Sequence, residues 1–310
     1  NFDRILDLSN LRGHIDLQFI HNNPIITADF KFDTLTFRLK SEEEVVFVEK
    51  GTIGISKERV SLFSNSMKYI SLTSEPLLFF MTEISILNPQ MSPTIDLNSE
   101  FSGSLLPLYS LVNQNFKLNK NFKKDHNQIL NSVFNITQKD SGNIVLKLLN
   151  FDFNRLISNE ISGKIQFTEK YIETSIIEKN VELKSVEFYA SQEGLRADFV
   201  GYYSSIKFMG SFNGSSIKET SSTLLLSLKP TASQLAKHLP NIIDFSNYGF
   251  VSISIDVVFP NSEDFIVRMK ADLTNSSFEI KQISFVKDYL EPGLIEIDWS
   301  VSDKLRFRFK

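Results

Sequence analysis

Four histidines, His14, His21, His126 and His238, are the chain's candidates for imidazole chemistry, and they stand far apart. None has a second His or a carboxylate at ligand spacing, so no metal site is expected. His14 follows Gly13 on what reads as the polar face of a strand, and His238 closes a helical segment, where a cation suits the helix dipole. The chain has no cysteine, which removes disulfides, zinc–thiolate sites and thiol nucleophiles together. Glu42-Glu43-Glu44 is a run of carboxylates, but neighbours on a strand end point to opposite faces and cannot act as an acid–base pair. A solvated turn is the simpler reading. No nucleophile elbow, phosphate loop or dinucleotide fingerprint is present, and Gly201 and Gly210 read as flanking a strand. Asn135-Ile136-Thr137, Asn213-Gly214-Ser215 and Asn275-Ser276-Ser277 match the glycosylation triplet, which a chain rich in Asn and Ser produces by chance. The residues therefore point away from an enzyme, and no cofactor is expected.

Composition narrows the class further. Lys and Arg number 33 against 37 Asp and Glu, a formal net of −4, and no basic stripe exists to neutralise phosphates, so nucleic acid is not an expected partner. Apolar residues make up 42% of 310, enough for a sizeable core. No run reaches the roughly 18 apolar residues that span a bilayer, and no signal peptide is visible. The lack of cysteine tilts towards a cytosolic or bacterial envelope protein. Phe is frequent, at 28 residues. Two readings compete: an apolar lining suited to acyl chains, or the codon bias of an AT-rich genome.

What must position these residues is a series of strands. Ile15, Leu17 and Phe19 share one face, with Asp16 and Gln18 opposite. Ala28, Phe30 and Phe32 alternate with Asp29, Lys31 and Asp33; after Thr34 the phase slips, and Leu35, Phe37 and Leu39 carry on. Such a slip predicts a turn or bulge near Asp33–Thr34. The pattern recurs at Val60 and Leu62; Ile165 and Phe167; Leu183, Val186 and Phe188; Val251, Ile253 and Ile255; Phe265, Val267 and Met269; Ile295, Ile297 and Trp299; and Leu305, Phe307 and Phe309. About 16 to 18 strands of 5–10 residues follow, with turns expected at Asn22-Asn23-Pro24, Lys50-Gly51, Asn213-Gly214, Pro260-Asn261 and Glu291-Pro292-Gly293. One-sided alternation belongs to antiparallel sheets with one wet face. A short helix is expected in 1–10, another over 104–114, and a third over 231–239, capped by Thr231 with Gln234 as its capping-box partner. Residues 120–132 read as a solvated loop or short helix.

Gly13-His14-Ile15-Asp16-Leu17-Gln18-Phe19 opens one run of strands and Gly163-Lys164-Ile165-Gln166-Phe167 a second, each ending at a helical segment. A sheet extended by similar units fits that order. The expected division is 1–155 and 156–310, with a soft boundary near 150–160. The apolar face could line a closed β-sandwich or barrel, or a half-open groove; periodicity alone allows both.

The C-terminal third carries a resemblance. Leu235-Ala236-Lys237-His238-Leu239-Pro240 ends a short helix at a proline, and a glycine-led strand runs from Tyr248-Gly249 to Pro260. Met269-Lys270-Ala271-Asp272-Leu273 then leads to Phe278-Glu279-Ile280, followed by Lys287 and the Glu291-Pro292-Gly293 turn. Over roughly residues 225–300 this resembles the AsmA-like proteins of the Gram-negative envelope. The resemblance implies a mainly all-β fold, a long bent antiparallel sheet of repeating β-groove type, with the β-sandwich as the alternative. It implies a section of a periplasmic bridge-like lipid transfer protein, with phospholipid or another acyl lipid as partner. Inner and outer membranes would be reached through parts not in this chain, including an N-terminal inner-membrane helix that these proteins normally carry. No catalytic residue is implied. At about 4.8 Å per strand, some 16 strands make a trough roughly 70 Å long. Its expected floor is Phe30, Phe32, Leu35, Phe37, Phe167, Phe188, Ile253, Ile255, Phe265, Val267, Ile295 and Ile297. The alternative function is a structural or adhesive sandwich that binds no lipid.

Overall fold

A computed structural model describes residues 6–7, 11–20, 23–38, 44–71, 74–89, 92–105, 139–151, 158, 160–168, 170–174, 177–191, 193–215, 221–237, 243–259, 266–280, 283–300 and 306–309. Almost all of them are strand, and the fold is all-β. The chain divides into two compact units. One holds Asn1–Lys170 with Glu187–Glu193, the other Tyr171–Val186 with Gly194–Lys310.

In the first unit β1 (Leu6–Asp7) and β2 (Leu11–Ile20) both pair with β3 (Asn23–Arg38). Antiparallel neighbours then follow in chain order: β4 (Glu44–Ile55), β5 (Arg59–Ser71), β6 (Ser74–Leu87), β7 (Thr94–Ser104), β8 (Lys139–Leu149) and β9 (Glu160–Phe167). The sheet is long and not closed. In the second unit β10 (Tyr171–Thr174) pairs with β11 (Ile177–Ser191), and β12 (Gly194–Tyr203), β13 (Ile206–Ser215) and β14 (Ser222–Leu228) follow. The sheet continues through β16 (Ser252–Phe259), β17 (Ile266–Asp272), β20 (Leu294–Ser300) and β21 (Arg306–Phe309). A separate three-stranded sheet joins β15 (Ile243–Gly249), β18 (Ser276–Ile280) and β19 (Phe285–Lys287).

Several expectations need correction. Leu6–Asp7 are strand rather than helix. Lys50-Gly51 lies inside β4 and Asn213-Gly214 inside β13, so neither is a turn. Gly201 and Gly210 are strand interior and not flanks. Strands run to 16 residues, longer than expected. The helix over 231–239 is α1 (Ala232–Ala236), with Thr231 as N-cap and both halves of the capping box present. Residues 106–114, 120–132, His21, His126 and His238 lie outside the described residues.

Three of the misread glycines share a cause, while Gly214 faces Leu195. Each of the three faces a phenylalanine across the ladder: Phe32 opposite Gly51, Phe199 opposite Gly210 and Phe208 opposite Gly201. A Cβ on Gly51 would stand 2.5 Å from the tip of the Phe32 ring, and one on Gly210 2.2 Å from that of Phe199. The ring lies over the bare backbone and fills the space a side chain would take, a pairing that restores the burial glycine forfeits.

The slip read at Asp33–Thr34 is real, and four strands share it. Asp33, Lys50, Asn65 and Met81 stand in one line across β3 to β6, and the ladder skips all of them while the register on either side continues. Lys50 and Met81 have φ of 41° and 47°. On each side of the line the inward residues resume one step out of phase: Phe32 then Leu35, Ser64 then Met67, Phe79 then Thr82. The bulge is thus a crease across the sheet. Buried hydroxyls take up the backbone groups it leaves. Ser64 Oγ reaches the carbonyls of Glu49 (2.7 Å) and Ser66 (2.8 Å). Ser99 Oγ reaches those of Phe80 (2.9 Å) and Glu100 (2.8 Å) and also meets Thr82 Oγ1 at 2.9 Å.

Candidate functional site: two open aliphatic blocks

Residues directly opposed in an antiparallel ladder share a face, so the registers trace rows that run across the strands. In the first unit Leu35, Val48, Met67, Phe79, Phe101 and Phe167 belong to one such row, and all are buried. The next row, through Phe32, Gly51, Ser64 and Thr82, carries the hydroxyls of the crease, and its Phe32, Ser64 and Thr82 are buried as well. Beyond it the face opens. Ile53, Leu62, Ile84 and Leu97 make an inner row of half-buried residues. Ile55, Val60, Ile86 and Ile95 make an outer one, where Ile55 is 41% exposed. This two-by-four block holds no polar side chain. The opposite face of the same strands carries Thr52, Ser61, Glu83, Ser85 and Asp96, and there Arg59 pairs with Glu83 at 2.7 Å.

The second unit repeats the arrangement. Ile253, Ala271 and Ile295 form a row closed by a core of Ala232, Val251, Leu273 and Phe278, against which Leu235, Ile280 and Phe285 also pack. Short α1 and the three-stranded sheet exist to cover this end. Next come Leu226, Ile255, Met269 and Ile297, half-buried, then Leu224, Val257, Val267 and Trp299, of which Trp299 is 40% exposed. The opposite face is mixed, with Ser254, Asp256, Arg268, Lys270, Glu296 and Asp298 beside Val258, Ile266 and Leu225, the last 49% exposed.

Against the expected floor, Ile255, Val267 and Ile297 lie in the open block of the second unit. Ile253 and Ile295 pack against the covering core. Phe32, Leu35 and Phe167 are in the buried rows, and Phe30 is half-buried beside Ile53. Phe188 is half-buried with its ring tip over Gly163. Phe37 pairs with Leu6 and Val46 through β3, its side chain outside the described residues, as is the whole of Phe265. Sequence reasoning missed the first unit's block. Thr52-Ile53-Gly54-Ile55, Ile84-Ser85-Ile86 and Ile95-Asp96-Leu97 alternate cleanly, but aromatic residues drew attention to rows that turn out to be buried.

No protein-family model matches the chain, and no curated protein resembles it closely enough to serve as a relative.

Charge inside the fold is sparse. Lys170 Nζ donates to Asp140 Oδ2 in a pair whose side chains are fully buried, and the ammonium also sits 5.0 Å from the centre of the Phe167 ring. Burial pushes the Asp140 carboxyl above the ordinary range, and the hydrogen bond and charge of Lys170 oppose it. Lys287 is buried in the second unit, donating to the carbonyls of Ser276 (2.8 Å) and Asp288 (3.0 Å), and burial depresses its pKa. Both lysines are held by fixed partners. Among the described residues no group of three or more His, Asp or Glu could hold a metal ion, and no helix is long and apolar enough to cross a membrane.

Proposed function

We propose that this chain is a section of a bridge-like lipid transfer protein of the Gram-negative periplasm, shielding phospholipid acyl chains in its apolar face. The observation that carries the reading is the pair of open blocks. Each groups eight apolar side chains, one exposed and seven half-buried, with no polar group among them. Leaving that surface bare costs roughly 25 cal/mol per Å², so a greasy occupant is the economical explanation. The resemblance over residues 225–300 supplies the compartment and the phospholipid. The test is native mass spectrometry of the folded chain, followed by delipidation and rebinding of a fluorescent phospholipid. Co-purifying lipid and rebinding at micromolar concentration are expected; a clean, non-binding protein would overturn the reading. A structural or adhesive role without lipid is the second reading, favoured by the rows that the protein already closes on itself.

A further inference from the structure

We infer that the crease of the first unit is a hinge, on which the half of the sheet carrying Ile53, Leu62, Ile84 and Leu97 swings against the half carrying Leu35, Val48, Met67 and Phe79. The inference is independent of what the sheet binds. An antiparallel ladder is stiff along its strands because each residue pair ties its two strands together. At Asp33, Lys50, Asn65 and Met81 three successive ladders omit a pair at the same level. The other edge of β3 respects the same line. There β2 pairs with residues 23–32 and β1 with Thr36 and Phe37, so the two fall on opposite sides of it. An interruption in one strand only re-aims side chains, whereas interruptions aligned over four strands give the sheet an axis to bend about. Phe32, Ser64 and Thr82 lie beside that axis, where displacement is least, and they are buried.

The side chains that cross the line suit a moving joint. Ser64 stands on one side, and its hydroxyl lies 2.7 Å and 2.8 Å from the carbonyls of Glu49 and Ser66 on the other. Ser99, opposite the bulge in β6, reaches the carbonyls of Phe80 and Glu100 and the hydroxyl of Thr82, all within 2.9 Å. A serine hydroxyl has a single hydrogen, so each serves one carbonyl while a second waits at nearly the same distance. A small rotation can pass the hydrogen between them and leave the hydroxyl satisfied throughout. The swing also has a fixed end. The β7–β8 ladder is unbroken from Ile95 to Ser104, so the motion dies away at β8 and grows towards β3.

Backbone amide relaxation dispersion on the unmodified protein tests this, since it reads the microsecond-to-millisecond range of collective motions. The amides of Gly51, Ser64, Ser66 and Thr82 are expected to exchange with one common rate constant. Asn143, Ile144 and Val145 of β8 are expected to show no dispersion. Flat profiles at the crease, unrelated rate constants, or equal dispersion along β8 overturn the hinge. Ser64→Ala supplies a second readout. The rate constants at Gly51 and Thr82, on the strands either side of Ser64, are expected to change together and severalfold. A change confined to residues 64–66 would mark a local contact in a fixed bend, and it too overturns the hinge.

Discussion

The buried Asp140–Lys170 pair sets a sharp expectation for single residues. Asp140→Asn leaves a buried ammonium without its counter-charge, so urea unfolding should show a loss of about 3–5 kcal/mol. Replacing both residues together with Leu and Met should recover much of that loss, because two desolvated charges are exchanged for packing. Phe199 and Gly210 offer a second case. An added methyl in Gly210→Ala meets the Phe199 ring tip at 2.2 Å and Leu226 at 2.8 Å, an overpacking worth roughly 1–3 kcal/mol. Phe199→Leu in the same chain should relieve part of it, so a double-mutant cycle ought to return a favourable coupling. Asp272 gives a pH signature. Hydrogen bonds from Thr274, including its backbone N–H at 2.9 Å, hold the carboxyl below its ordinary 3.8. A group depressed on folding adds stability above the unfolded value, and that increment disappears as pH falls through the folded one. Thermal melts of Asp272→Asn against the parent should therefore converge in acid and separate above about pH 4. Little of this was legible in the sequence. Asp140 sits beside Lys139 in a chain with 37 acids, and nothing in its neighbourhood foretells a partner 30 residues on.

Strands were far more legible than their ends. Period-two alternation located β2, β3, β16, β17 and β20 because one face of each is apolar and the other polar. The turn rules failed at Lys50-Gly51 for a physical reason. A glycine serves a tight turn and an overlying ring equally well, and only the partner strand decides between them. The slip at Asp33–Thr34 was visible, but its three fellows were not: Lys50 resembled a turn, and Asn65 and Met81 gave no sign. The crease predicts the consequence of changing either kind of residue. Ser64→Ala removes the buried hydroxyl shared between the carbonyls of Glu49 and Ser66 and should cost about 1 kcal/mol in chemical denaturation. Lys50→Gly and Met81→Gly should be neutral or stabilising by up to about 1 kcal/mol, since both residues hold a positive φ that glycine adopts freely. Glycine placed elsewhere in these strands should cost a similar amount.

At the scale of the molecule the open blocks and the buried rows respond oppositely to charge. Ile255→Asp and Ile84→Asp place a carboxylate where water can reach it. Their melts should fall by only a few degrees, while phospholipid loading on the same samples is lost. Phe79→Asp puts the charge in a buried row, and the several kcal/mol of desolvation should unfold the first unit. Unfolding by all three substitutions would mean that the blocks are closed after all.

The phenylalanine–glycine pairs also limit which sheets this chain can form. Alternation alone forbids a slide of one residue, since that would turn every side chain over. A slide of two leaves inside and outside unchanged, and in a long, simply patterned sheet it would otherwise cost little. Here β12 offers Phe199 and Gly201 to Gly210 and Phe208 of β13. Moved by two, ring would meet ring and bare backbone would meet bare backbone, a clash beside a hole. The pairs thus work as teeth in a zip, permitting one alignment out of several with equal polarity. Among the described residues, nearly all strand, little else stops the hairpins closing out of step. Exchanging the members of one pair, Phe199→Gly with Gly210→Phe, keeps the composition and moves a single tooth to the other strand.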